Sequence, residues 1–234
     1  MYYGYYYDPT MILLVIAMIF TIFAQAKVSR AYRKFSRVPN HTGMTGMMAA
    51  RRILDANGLS HVRIEMTPGT LSDHYDPRGC VMRLSADVYN GTSVAAVSIA
   101  AHESGHAVQH ATGYGFLKFR NAIVPVVNFA SKLSWILIII GIIIAGAGSY
   151  FGSFVFDLGI LFFVAVVVFH LVTLPVELNA SSRAVSMMQQ LAIIGPADVR
   201  GSKKVLSAAA LTYVAALATA VLQLVRLLLL RERD

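Results

Sequence analysis

His102, Glu103 and His106 are spaced as His-Glu-x-x-His, a pattern that places two imidazoles and a carboxylate together when it lies on a helix. A helix rises about 1.5 Å per residue, so positions i and i+4 share a face and both rings reach one tetrahedral metal. That arrangement is half of a catalytic zinc site, and Glu103 then stands beside the metal's open position, where a general base is needed. Chance supplies three specified residues at this spacing in roughly one chain in a hundred of this length. The bland rival is a pair of packed core histidines. A closed structural zinc site is another, but such sites usually take four protein ligands, often cysteines, and have no use for Glu103. Cys80 is the only cysteine in the chain.

Two histidines leave a third protein ligand to find. His110, at i+8 from His102, must span two helical turns to reach the same metal, so a role on the helix face or behind a ligand suits it better. His170 lies within an apolar stretch, and His74 with Asp76 lies in a turn-rich loop; both remain candidates. Thr112 stands where a metzincin has its third histidine, which excludes that class. Glu177 is the favoured candidate, because it follows Pro175 at the end of an apolar stretch and opens a helical segment running through Ala180 and Ala184. Its small neighbours at i+3 and i+4 leave room for a second helix. Ser181, on the same face, is placed to hydrogen-bond a ligand histidine from behind.

The elements that must position these residues can be read from local signals. Ser93 to Ala101 is apolar and alanine-rich, preceded by the turn Asn90-Gly91 and by Thr92 as expected N-cap, so a helix is predicted over Ser93–Thr112, closed by Gly113 and Gly115. Thr42 is expected to cap an earlier helix running to Asn57, with Gly58 just past its end. His61–Met66 and Gly79–Ser85 read as strands and Thr67–Asp76 as a loop between them. The second strand precedes the metal helix, where an exposed sheet edge could receive an extended substrate.

Composition widens the frame. The 234 residues are 56% hydrophobic and the mean hydropathy is +0.61, too apolar for a soluble domain, so the chain reads as an integral membrane protein whose first partner is the lipid bilayer. The net charge of +8 does not point to nucleic acid, since the cations cluster beside apolar stretches without a stacking or basic-helix motif. A single cysteine rules out an internal disulfide framework. Four spans are expected: Met11–Gln25, Leu133 to about Tyr150, Phe156–Leu174, and Val205–Leu222 with an extension to Leu230 left open by Gln223 and Arg226. The tyrosines among residues 2–7 are expected in the interfacial aromatic belt, and the tail lacks the positive charge of a cleaved signal.

Lys27, Arg30, Arg33, Lys34 and Arg37 follow the first span, whereas Asp8 and no cation precede it. Positive-inside therefore puts the N-terminus outside. Lys118, Arg120 and Lys132, and later Arg183, Arg200, Lys203 and Lys204, agree with that sense. The resulting plan is a tail and first span over 1–26, a cytoplasmic α+β segment over 27–132, a transmembrane hairpin over 133–175, a cytoplasmic helix over 176–204 and a last span with its tail over 205–234.

Three separated motifs carry a resemblance over nearly the whole chain: Ser72-Asp73-His74-Tyr75-Asp76-Pro77, His102 through Gln109, and Leu174 through Ala184. Together they resemble the YugP-type family of membrane zinc metallopeptidases. The resemblance implies about four transmembrane helices with a small cytoplasmic α+β, zincin-like metallopeptidase domain in a bacterial plasma membrane. It also implies a gluzincin-like layout akin to HtpX-type and CAAX prenyl proteases, with one Zn²⁺ per chain held by His102, His106 and Glu177. Glu103 would be the catalytic base and a membrane-associated polypeptide the substrate, with Arg183, Tyr75 and His74 as candidate oxyanion donors. The chain departs from the family in one place: Asn179 stands where aspartate is usual, and its amide still accepts a hydrogen bond. The competing functions are a non-catalytic metal-binding scaffold or chaperone and a protease that cleaves within the bilayer; the polarity around His102 and the nearby Gly113-Tyr114-Gly115 disfavour the latter.

Overall fold

The computed structural model describes residues 8–232 as a mostly helical chain with one three-stranded sheet. The elements run α1 (Met11–Phe35), α2 (Gly46–Ala56), β1 (Arg63–Thr67), β2 (His74–Asp76), β3 (Val81–Ser85), α3 (Ala86–Tyr89), α4 (Val94–Ala111), α5 (Gly115–Gly146), α6 (Tyr150–Gln190) and α7 (Pro196–Arg231). The aromatic belt expected of residues 2–7 lies outside the described residues. By contacts the chain forms two compact units. One takes in the described residues up to Phe23, Arg120–Val172 and Val214 onward; the other takes in Ala24–Phe119 and Thr173–Tyr213.

The second unit carries the sheet and the His-Glu-x-x-His helix. Its core joins Ile53 and Leu54 of α2, Met82 and Leu84 of β3, Val97, Ala100 and Ala101 of α4, and Met188 and Ile193 at and beyond the end of α6. Thr45, in extended conformation, caps α2 by accepting from the Met48 amide at 3.2 Å. Thr42, the expected cap, instead donates its hydroxyl to the Ile193 carbonyl at 2.8 Å. Gly58 follows the helix at φ +72°, as a C′ glycine does. On α4 the cap is Ser93 rather than Thr92: the Ser93 hydroxyl accepts from the Ala96 amide at 3.1 Å. The Thr92 carbonyl is engaged by the Asn40 amide and side chain.

In the sheet, β3 is central, parallel to β1 with Arg63 opposite Val81, and antiparallel to β2 with His74 opposite Arg83. This corrects the expectation that the strand leading to the metal helix offers a free edge, because both sides of β3 are already paired. The third strand, β2, lies at the end of the stretch expected to be a loop. Its three residues are too few to show alternation in the sequence.

Four helices, α1, α5, α6 and α7, are long and apolar enough to cross a membrane. All four extend beyond their expected bounds at one end or both: α1 runs on to Phe35, α7 starts at Pro196, α5 takes in Phe116–Ser131 and passes Pro125, and α6 passes Pro175 without a break. A proline removes one helical hydrogen bond and crowds the preceding turn. At Pro175 that cost is offset by packing, since Val176, Ala180 and Ala184 beyond it are fully buried. Glu177 therefore lies within a continuous helix instead of opening a new one. The open question over Leu222 resolves into continuous helix to Arg231, with Gln223 buried and Arg226 paired to Asp8 at 3.1 Å.

Within the first unit, α5 and α6 approach backbone to backbone through glycines. A Cβ on Gly141 would lie 2.6 Å from the Phe156 amide nitrogen, and one on Gly159 2.9 Å from that of Ile138. Small residues at helix crossings are what permit such contact in an apolar medium.

Candidate metal centre

His102 and His106 rise from one face of α4 with ring centroids 4.7 Å apart and planes nearly perpendicular. Opposite them is Glu177 of α6, 3% exposed. The approach is close because Gly105 has no side chain: a Cβ there would stand 2.7 Å from the Ala180 carbonyl oxygen. The small residues noted after Glu177 thus meet a glycine within the His-Glu-x-x-His motif itself.

His102 Nε2 lies 3.3 Å and His106 Nε2 3.5 Å from the same oxygen, Glu177 Oε2. Charge-assisted N–H···O bonds run to about 2.7–2.9 Å, so these separations are long for direct pairing. Two bonds of about 2.0–2.1 Å meeting at a tetrahedral angle set their far ends about 3.3–3.4 Å apart. Both imidazole-to-carboxylate separations therefore come close to the edges of a zinc coordination sphere, and the donor set of two imidazoles and a carboxylate fits zinc. Among the described residues they form the group of metal-ligating side chains whose atoms lie within 4.8 Å of one another.

Behind each histidine stands a polar partner at Nδ1. Ser181 Oγ is 3.2 Å from His102 Nδ1, and Gln109 Oε1 is 3.0 Å from His106 Nδ1. Burial lowers the His106 pKa, but the nearby carboxylates of Glu177 and Glu103 outweigh it and leave the value above 6.5. Glu103 is 9% exposed. Asp73 lies near enough to feel its charge: burial raises the Asp73 pKa and Glu103 adds to that, against hydrogen bonds from the Ser85 amide and hydroxyl.

The other sequence candidates are not members of this group. His110 is exposed and its Nδ1 pairs with the Tyr75 hydroxyl at 3.0 Å. Tyr75 is pushed up to about 12, chiefly by burial, so its phenol stays protonated. His74 is exposed on β2 with Nδ1 2.8 Å from the Ser72 carbonyl. Asp76 accepts from the Arg78 amide and faces Arg83. Arg183 donates its Nε to Asn179 Oδ1 at 2.8 Å. His170 belongs to the other compact unit.

Sequence reasoning missed Gln109 and Asp73 as contributors. The signal for Gln109 was present, since it follows His106 by three residues and so shares its helix face. Asp73 carried none, because only the fold brings it to the end of β3.

Comparison with known proteins agrees with the chemistry of these side chains. Residues 10–232 match the family described as "Putative neutral zinc metallopeptidase". The chain is 46% identical over 224 residues to the "Putative membrane protease YugP" of Bacillus subtilis (strain 168), covering 95% of this chain and 97% of that protein. No solved structure matches the chain.

Proposed function

The chain belongs to the neutral zinc metallopeptidase family, and from that premise we propose that it is an integral-membrane endopeptidase of gluzincin type. In this reading His102, His106 and Glu177 hold one zinc ion per chain and Glu103 is the general base. The observation that carries it is the pair of distances, 3.3 and 3.5 Å, from two imidazole nitrogens to one Glu177 oxygen. When bound, zinc supplies Lewis acidity, lowering the pKa of a water toward about 7 and polarising a carbonyl.

The chain's own residues do the rest. Glu103, adjacent to His102 and within reach of the charge on His106, takes the proton of the attacking water and returns it to the departing amine. Its carboxylate accepts no hydrogen bond from another described residue, which leaves both oxygens available for that exchange. Ser181 and Gln109 orient the two imidazoles. Tyr75, whose phenol stays protonated across the physiological range, and Arg183, whose terminal guanidinium nitrogens are not used by its bond to Asn179, are both candidates to donate to a developing oxyanion.

In this reading residues 27–132 and 176–204, with a zincin-like centre, lie on the cytoplasmic side and the N-terminus lies outside; the cations after α1 and around residues 118–132 and 183–204 support it. Glu177 follows an apolar stretch of α6 by only a few residues, so the natural substrates are segments of membrane-associated polypeptides, as in processing or quality control of membrane proteins.

The test is Glu103→Gln in proteoliposomes, because it keeps the side-chain shape and removes only the base. Zinc content should stay at one per chain while peptide cleavage falls by about 10²–10⁴-fold. Wild-type cleavage by that variant refutes the mechanism. Loss of cleavage in the wild type on chelation, restored by zinc, separates a protease from a metal-binding scaffold.

A further inference from the structure

We propose that Gln109 is a positioning residue that fixes which nitrogen of His106 faces the metal; this rests on the zinc reading above and deepens it. Gln109 lies one turn beyond His106 on α4 and is wholly buried. Its Nε2 donates to the Val176 carbonyl at 2.8 Å and to Asn179 Oδ1 at 3.0 Å. A main-chain carbonyl can only accept, so the amide is held with its NH₂ toward α6 and its oxygen toward His106. That oxygen is 3.0 Å from His106 Nδ1. An amide oxygen accepts and never donates, so Nδ1 must carry the hydrogen.

A neutral imidazole has one N–H, and the lone pair is therefore on Nε2, the nitrogen 3.5 Å from Glu177 Oε2. The far end of the chain of bonds is pinned as well. Asn179 Oδ1 accepts from Arg183 Nε at 2.8 Å, and a guanidinium only donates, so the Asn179 oxygen must face Arg183 and Gln109. The sequence of bonds from His106 to Gln109, and from Gln109 and Arg183 into Asn179, admits one assignment of amide orientation. No ring flip at His106 is possible without breaking it. This also gives Asn179 a role that its neutral amide fulfils: it needs only an oxygen.

The experiment compares Gln109→Met, which keeps length and apolar volume but has no acceptor carbonyl, with Gln109→Glu, which keeps an oxygen facing Nδ1. Zinc affinity is read by competition with a chelator on the full-length protein in detergent. Gln109→Met should bind zinc about 10–100-fold more weakly, the usual cost of losing a partner behind a metal ligand, while Gln109→Glu, whose outer oxygen must carry a proton to donate to the Val176 carbonyl but whose inner oxygen still accepts from Nδ1, loses clearly less. Equal losses in both, or none in either, overturn the proposal, because a merely structural role does not distinguish an acceptor from a methyl group. The wild type supplies a second readout should the variants fail to fold. In zinc-loaded protein labelled with ¹⁵N at histidine, His106 Nδ1 must show a directly bonded proton, and ligation through Nδ1 refutes the assignment. A wild type that takes up no zinc would remove the zinc reading itself, whereas a zinc-binding wild type with an unaffected Gln109→Met removes only the role of Gln109.

Discussion

Gly105→Ala is the sharpest perturbation of the centre, because it adds one methyl group at the point where α4 meets α6. In a free helix the change stabilises by about 1 kcal/mol. Here the new Cβ would stand 2.7 Å from the Ala180 carbonyl oxygen and 3.3 Å from that residue's Cα, where ordinary contact begins at 3.4 Å. The shortfall to the oxygen is 3.4 minus 2.7, or about 0.7 Å. The obstacle is main chain on both sides, so the strain cannot be relieved by a rotamer. The helices must separate, and Glu177, one turn from Ala180, must move away from His102 and His106. Metal–ligand distances tolerate about 0.2 Å, so a displacement several times larger strips zinc from the site. Overpacking of this kind costs about 1–3 kcal/mol of stability. The assay pairs metal content of the purified protein with the melting temperature of its metal-free form, both against wild type. Reduced zinc and a lower melting temperature are expected; a variant that melts higher and keeps full zinc would show that the two helices do not depend on that glycine.

Two further outcomes follow from the same structure. His106 has a pKa raised above 6.5 by Glu177 and Glu103, so its protonated ring stabilises the metal-free fold below pH 6.5, and that contribution is lost as pH rises through the raised value. Zinc, which needs the unprotonated nitrogen, should bind more tightly over the same rise; chelator competition from about pH 6 to about pH 8 checks it, and a flat affinity contradicts the shift. In the first unit, Gly141→Leu would drive a side chain into the backbone of Phe156, 2.6 Å from the Cβ position. Thermal unfolding in detergent should show a loss of at least about 1–3 kcal/mol, and an unchanged melting curve would deny the close crossing of α5 and α6.

The chemistry of the centre was legible because helical periodicity is local. His102, Glu103 and His106 need only 3.6 residues per turn to share a face, and an apolar run followed by cations announces a span whatever its neighbours are. The same locality explains the misplacements. Thr42 and Thr45, or Thr92 and Ser93, are equivalent as caps until the chain before them is fixed, and Asn40 decides by engaging the Thr92 carbonyl.

Other features were settled only by the tertiary structure. Pro175 reads as a boundary in sequence, yet burial of Val176, Ala180 and Ala184 carries the helix through it. The pairing of β3 on both sides depends on β2, a strand of three residues with no pattern of its own. Glu177 was one of several candidates until α6 crossed α4 at Gly105, and Gln109 gained its meaning only when the Val176 carbonyl and Asn179 fixed the direction of its amide. Short-range spacing determines which groups a helix presents together, but a partner 75 residues away is chosen by packing, which no stretch of sequence contains by itself.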